Sequence, residues 1–284
     1  MEKQLILRGT LAGAIAGLIS FVFARIFAEP QIRAAINYES ARDAAQEAID
    51  KAAGIATVEG GHEVFTRSIQ ENIGIGAGMI LFGAAMGALF AVVFAVCLGR
   101  TGRLRPRSLS LLVAGAGFLG FYLVPFVKYP ANPPSIGHAE TIQERSGLYL
   151  LMVFCSLMFL FGAAWLGKQL GPRLGNWNAA LVAGAVFVVG IGLLMLVLPS
   201  FGELGINRAN YGNFATETPQ PLKDADGTIV FPGFPADVLY SFRIYSVAAQ
   251  AILWTALGLI FTPMAERLLA PGRDASSQQE LVTR

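Results

Sequence analysis

The feature that most constrains this chain is a series of six apolar runs, each about as long as a membrane-spanning helix. A helix needs roughly 20 residues to cross the hydrocarbon layer of a bilayer. Since hydrocarbon offers the backbone no hydrogen-bond partners, such runs fold as helices. The sequence therefore predicts an all-α integral membrane protein, a single membrane domain over residues 1–284 with six transmembrane helices. The predicted spans cover about residues 5–28, 73–98, 109–127, 147–167, 179–198 and 244–264.

Composition supports this class and argues against others. Charged residues make up 14% of the chain, compared with about 25% in an average soluble domain. The net charge is only +2 and no face rich in Lys and Arg is present, so nucleic acid is not an expected partner. Metalloprotease, serine-hydrolase and P-loop motifs are absent, so we expect that the protein is not an enzyme. No Asp, Glu, Lys or His lies near the middle of a predicted span, which argues against a self-sufficient ion-coupled pump.

The distribution of basic residues predicts the orientation of the chain. In a six-span arrangement, the side that carries both chain ends holds 11 Lys and Arg but 4 acidic residues, whereas the other side holds 10 and 15. The connector Arg100–Arg107 contains four arginines in eight residues. Lys and Arg accumulate in cytoplasmic connectors. We therefore expect cytoplasmic termini, including a cytoplasmic tail over residues 265–284.

Two long segments on the other side of the membrane have distinct patterns. In the loop over residues 29–72, Tyr38, Ala41 and Ala45 recur at helical spacing with charges between them, which predicts an amphipathic helix on the bundle or membrane surface. The segment over residues 199–243 is rich in Pro, Gly, Asn and Asp and is predicted to form a folded cap. Loops of this length in compact proteins are usually functional.

Short repeated motifs suggest that the spans form three tandem parallel helical hairpins. The string Leu112–Ala116 in span three recurs as Leu181–Ala185 in span five, and Pro130 and Pro199 follow at equal distances. Related hairpins in one orientation are a known architecture of transport proteins. Coincidence among Leu, Ala, Gly and Val strings is the alternative interpretation.

Each even-numbered span begins with an arginine at its outer boundary: Arg67, Arg145 and Arg243. If the repeat is real, these arginines converge on one outer vestibule and need carboxylate partners. Carboxylates near them in sequence are Glu63, Glu71, Glu144 and Asp237. The alternative is that the arginines are ordinary anchors that reach the lipid headgroups.

Both histidines, His62 and His138, fall on the predicted outer side. Imidazole together with carboxylates suits first-row divalent ions such as Co²⁺, Ni²⁺ or Zn²⁺. Exposed loop histidines or hydrogen-bonded caps are the alternative interpretation. The candidate metal ligands are His138, Glu140, Glu144, His62, Glu63 and Asp237.

Two segments carry a resemblance to a known family. Tyr129–Pro134 reads YPANPP, and Phe234–Arg243 begins with FPAD and ends with FR. Both resemble stretches of the CbtA family of predicted cobalt transporter subunits. Glu140–Ile142 together with Arg145 resemble that family as well. Pro130 and Asn132, which lie in the YPANPP segment, are added to the candidate vestibule residues. The resemblance extends over nearly the whole chain, although the family is often described as having five spans.

The resemblance implies a multi-pass protein of the bacterial cytoplasmic (inner) membrane that takes part in cobalt uptake linked to cobalamin. It implies Co²⁺ as a candidate substrate. No bound cofactor is expected. It also implies a CbtB-like partner, a small subunit with one span and a histidine-bearing terminus. A homo-oligomer in the lipid bilayer is a further expectation. The alternative function is a membrane scaffold or accessory protein whose outer cap binds a partner or a small ligand without transporting metal.

Overall fold

The structure is a computed structural model that describes residues 2–55, 69–102, 104–212 and 217–282, with side chains described up to Leu269. Most of the chain is helical, as its apolar runs predict. Four short stretches have other helical forms: π-helical turns at Gln70–Gly74 and Phe118–Leu123, and 3₁₀ turns at Ala139–Thr141 and Phe201–Glu203. The regular elements are α1 (Glu2–Phe27), α2 (Glu29–Ala52), α3 (Ile75–Cys97), α4 (Pro106–Gly117), α5 (Val124–Lys128), α6 (Ile142–Val197), α7 (Gly205–Asn210), β1 (Leu222–Lys223), β2 (Ile229–Phe231) and α8 (Ala236–Val282).

Within the described residues, five helices are long and apolar enough to cross a membrane. Four of them each overlap one of the predicted spans over nearly its whole length. The fifth, α6, contains both of the predicted spans over residues 147–167 and 179–198. The five lie within Glu2–Phe27, Gln70–Cys97, Pro106–Lys128, Ala139–Asn210 and Ala236–Leu269.

Helix α6 is a hairpin of two arms and not one straight rod. A straight helix of its 56 residues would be about 84 Å long, nearly three times the thickness of a hydrocarbon layer. At Gly175 the backbone has φ 76° and ψ 160°, a conformation that is essentially restricted to glycine. The arms fold back on each other, since a Cβ at Gly190 would meet the ring of Phe159 and one at Gly167 would lie 3.5 Å from Ala183.

The chain divides into two compact units, one of residues 1–29, 62–118 and 245–284, and the other of residues 30–61 and 119–244. In the first unit α1 and α3 pack closely through glycines. A side chain on Gly13 would overlap the carbonyl oxygen of Gly83, and one on Gly9 would overlap that of Gly87. Small residues let helix backbones approach closely within a membrane, where dispersion contacts rather than water exclusion hold helices together.

Helix α8 joins this unit through buried hydroxyl groups and aromatic rings. Ser20 donates a hydrogen bond of 2.7 Å to the carbonyl of Ala249, and Ser110 donates one of 2.8 Å to that of Gly258. The ring of Phe261 contacts Phe90 and Phe94 edge to face, each at 5.1 Å between centroids. Each buried hydroxyl therefore has a backbone partner, as apolar surroundings require.

The second unit holds most of α2, the arms of α6 and the folded segment before α8. Tyr38 of α2 donates a hydrogen bond of 2.8 Å to the carbonyl of Pro232 and packs against Phe231 and Phe234. The strands β1 and β2 form an antiparallel pair in this segment. Tyr129 donates to the carbonyl of Pro199 at 2.9 Å, so the two segments with corresponding prolines lie side by side.

Candidate functional site

A buried carboxylate organises the segment between α6 and α8. The side chain of Glu217 is fully buried, and its Oε1 accepts hydrogen bonds from Thr141 at 2.6 Å and from Asn207 Nδ2 at 2.5 Å. Its Oε2 lies 3.0 Å from Arg145 Nε. These two atoms are not aligned for a hydrogen bond, so their contact is an ion pair. A charge buried to this extent needs such partners, since leaving it unpaired costs several kcal/mol, of order 3–5.

The amide of Asn207 connects this carboxylate to the ring of His138. Its Nδ2 donates both to Glu217 and to the carbonyl of Phe201, the latter at 2.7 Å. Both amide hydrogens are therefore used, and the atom 2.7 Å from His138 Nδ1 is the oxygen. Because that oxygen can only accept, Nδ1 carries the proton. The neutral ring then has an unprotonated Nε2, the form that binds metals.

The backbone at His138 is fixed by the same group of residues. Its carbonyl accepts a hydrogen bond of 3.0 Å from Arg145 Nη2 and lies 3.0 Å from Thr141 Oγ1, whose single proton goes to the closer Glu217 carboxylate. The preceding Gly137 has φ 140°, and a Cβ there would lie 2.7 Å from Arg145 Nη1. The ring stacks on Tyr211 with 3.6 Å between centroids. His138 is therefore held at its ring face, at Nδ1 and at its carbonyl.

His138 lines a cavity of about 760 Å³, named the cap cavity hereafter. The cavity is also lined by Glu39 and Asp43 of α2 and by Glu140, and by two basic residues, Arg42 and Lys223. Tyr38 lines it as well, and burial raises the pKa of its hydroxyl while the nearby Arg42 lowers it by a smaller amount. Tyr38 is thus a neutral hydrogen-bonding group near pH 7. The cap cavity offers imidazole and carboxylate groups that could approach a hydrated cation.

A second cavity of about 590 Å³ contains three of the residues predicted for the vestibule: Arg145, Asn132 and Pro130. Arg243 donates hydrogen bonds to the Asn132 side chain at 2.8 Å and to the carbonyl of Ala131 at 3.1 Å. The YPANPP segment therefore links two of the three predicted arginines. Arg67 lies outside the described residues.

The arginines have other partners than their sequence neighbours. Arg145 pairs with Glu217, whereas Glu144 is exposed, because consecutive residues of a helix point in different directions. Glu71 pairs with Arg25 at 3.4 Å.

The predicted metal ligands are only partly brought together. His138 and Glu140 line the cap cavity, whereas Glu144 and Asp237 are exposed and do not line it. His62 and Glu63 lie outside the described residues. Within the part of the chain that the structure describes, no group of three or more His, Cys, Asp or Glu side chains could hold a metal ion.

Sequence reasoning did not find three residues of this site: Glu217, Asn207 and Tyr211. Each contacts His138 or Arg145 across more than 60 residues of chain, and none lies in a recognisable motif. The signal that could have indicated Glu217 is the need of Arg145 for a carboxylate partner, since the position itself is unremarkable.

The fold and the site define an α-helical membrane protein with a polar, cavity-bearing segment between its apolar helices. The family model described as "Probable cobalt transporter subunit (CbtA)" matches residues 2–266. The chain therefore belongs to the CbtA family, as the YPANPP and FPAD segments predict. No curated protein and no solved structure matches it.

Proposed function

We propose that the chain is the membrane subunit of a cobalt uptake transporter linked to cobalamin supply, with Co²⁺ or a similar divalent transition-metal ion as its substrate. The observation that carries this proposal is the family match over residues 2–266. The cap cavity supports it, because imidazole beside carboxylates suits borderline transition metals, whereas Mg²⁺ and Ca²⁺ favour oxygen ligands alone. The proposed ligands are those that the sequence suggests, with His138 and Glu140 in the cavity as the leading members.

The proposed topology has six crossings of a bacterial cytoplasmic membrane and cytoplasmic termini. Counting the two arms of α6 as two crossings is supported by the break at Gly175 and by the contacts between the arms. The excess of Lys and Arg in the predicted cytoplasmic connectors supports the orientation. In this topology the cap cavity opens on the outer side, where an excess of acidic residues raises the local concentration of cations.

We further propose that the chain works with a partner. The family description as a subunit supports this, and a CbtB-like protein with one span and a histidine-bearing terminus is the expected component. Such a partner would deliver the ion to the cap cavity. Homo-oligomerisation is compatible with the same arrangement.

The test is cobalt accumulation under cobalt limitation in cells with and without this chain. Cells that carry it with its partner should accumulate more cobalt, and His138→Ala should remove the gain at an unchanged amount of protein in the membrane. The control is Asn210→Ala, which truncates an exposed side chain on α7. Equal accumulation with and without the chain contradicts the proposed function.

The alternative, a scaffold that does not transport metal, gives a different outcome in the same cells. Asp237→Ala together with His138→Ala would then weaken capture of the partner and leave cobalt accumulation unchanged. Comparing partner capture with cobalt accumulation therefore separates the two functions.

A further inference from the structure

The most informative unassigned feature is the buried relay Glu217–Asn207–His138. Asn207 is itself buried, at 2% exposure, and both of its amide hydrogens are used by acceptors. Its oxygen can therefore only receive the proton of His138 Nδ1. A buried polar chain of this kind fixes a single arrangement when every member has its partner.

We infer that Asn207 and Glu217 are positioning residues that hold His138 in the Nδ1–H tautomer and so keep Nε2 available to coordinate a transition-metal ion. The inference rests on the proposed function, since it assigns these residues a role in binding the same substrate. Histidines that bind metals usually donate their other ring N–H to an oxygen acceptor, which fixes both tautomer and ring orientation. The stack on Tyr211 restricts the ring further.

The role of Glu217 is one step removed from the ring. Its Oε1 accepts from Asn207 Nδ2 and, together with the carbonyl of Phe201, determines which way the amide points. If the amide reversed, its NH₂ group would face His138, and Nδ1 would have to accept. The proton would then lie on Nε2 and block that atom as a ligand. The buried negative charge therefore helps to determine which ring nitrogen is free.

The first experiment reads the tautomer directly. The chain contains only two histidines, so protein labelled with ¹⁵N-histidine gives two sets of ring signals, and His62→Gln assigns them. We expect the ring nitrogen shifts of neutral His138 in the wild-type protein to show a protonated Nδ1 and an unprotonated Nε2. The reverse assignment overturns the inference. This measurement needs neither metal nor a variant of the relay.

The second experiment measures Co²⁺ affinity in purified full-length protein by titration calorimetry. Asn207→Leu removes the acceptor at similar size and should weaken Co²⁺ binding by about 10–100-fold, the usual effect of removing a partner that orients a metal-binding histidine. The matched control is Asn210→Leu, the same change at an exposed position of α7, which should bind as the wild type does. Equal affinities for the two variants overturn the inference.

A double-mutant cycle separates positioning from a structural effect. If Asn207 acts through the ring, Asn207→Leu should have no further effect on Co²⁺ affinity in a His138→Gln background. Equal losses in both backgrounds would show that the substitution acts elsewhere and overturn the inference. If the wild-type protein fails to bind Co²⁺, both the proposed function and this inference are wrong. If the wild-type protein binds Co²⁺ but neutral His138 is in the Nε2–H form, this inference is wrong and the proposed function is not affected.

Discussion

The ion pair between Glu217 and Arg145 gives the most quantitative prediction. Replacing Glu217 by Gln keeps the size of the side chain but leaves the guanidinium without its counter-charge. Removing one partner of a buried pair costs about 3–5 kcal/mol. The Arg145 side chain is 21% exposed and can recover some hydration, so we expect a loss near the lower limit, about 3 kcal/mol.

Limited trypsin digestion measures this loss locally. Arg208 and Lys223 are exposed on either side of Glu217 in the sequence, so cleavage at these two sites reports opening of the segment. When opening and closing are faster than cleavage, the cleavage rate follows the population of the open form. A loss of about 3 kcal/mol then raises the rate about 150-fold. Mass spectrometry of the fragments identifies the two sites.

The matched control is Glu144→Gln, which neutralises the carboxylate next to Arg145 in sequence. That side chain is exposed, and we expect unchanged cleavage. The double variant Glu217→Gln with Arg145→Met should be more resistant than Glu217→Gln alone, because no unpaired charge remains. Equal effects of Glu144→Gln and Glu217→Gln, or additive effects in the double variant, would refute the reasoning.

Three further predictions concern the packing of the helices and the orientation of the chain in the membrane. Gly13→Ala should lower the thermal unfolding temperature in detergent, because the methyl group would overlap a carbonyl oxygen of α3, whereas Gly78→Ala should not, since a Cβ there has no neighbour within 4 Å. Gly175→Ala should lower the free energy of unfolding by about 1–3 kcal/mol, and with it the unfolding temperature, because φ 76° and ψ 160° suit only glycine. After replacement of both native cysteines, an impermeant maleimide added to intact cells should label Asp224→Cys but not Thr101→Cys. Labelling of Thr101→Cys would contradict the proposed orientation.

The apolar helices were predictable from the sequence because length and composition determine them. The predicted span over residues 109–127 lies within Pro106–Lys128, and that over residues 73–98 nearly coincides with Gln70–Cys97. Residues 147–167 and 179–198 were predicted as two separate spans, but the exact position of the break between them was harder to predict. A proline at 172 and glycines around it indicate a turn, but which residue takes the unusual backbone conformation depends on how the two arms meet.

Spacing alone did not determine which glycines form the helix contact. Gly9, Gly13 and Gly17 recur every fourth residue, a spacing of small residues that favours close helix packing, and they do contact α3. Gly74 and Gly78 follow it equally well, yet a Cβ at Gly78 would have no neighbour. The pattern identifies a smooth helix face, whereas the contact also requires a second helix against that face, and this depends on the whole arrangement.

The candidate site also depends on contacts that the sequence could not predict. His138 could be proposed as a ligand because imidazole is a chemically distinctive group. Its tautomer could not, because it depends on an amide 69 residues away in the sequence and on a carboxylate ten residues beyond that amide. Hydrogen-bond partners at such separations are selected by tertiary packing, which leaves no local sequence pattern.

In the proposed transporter, the cap cavity would be a site through which an ion passes. A transport site must bind the ion firmly enough to take it up and weakly enough to release it. Four protein ligands in fixed geometry hold zinc tightly in structural sites, whereas His138 and Glu140 are the leading ligands proposed for the cap cavity. His138 and Glu140 as direct ligands would leave the ion most of its water, and those waters could donate to Glu39 and Asp43. In the proposed transporter, the relay would contribute selectivity for transition metals through Nε2, and a small number of ligands would favour release.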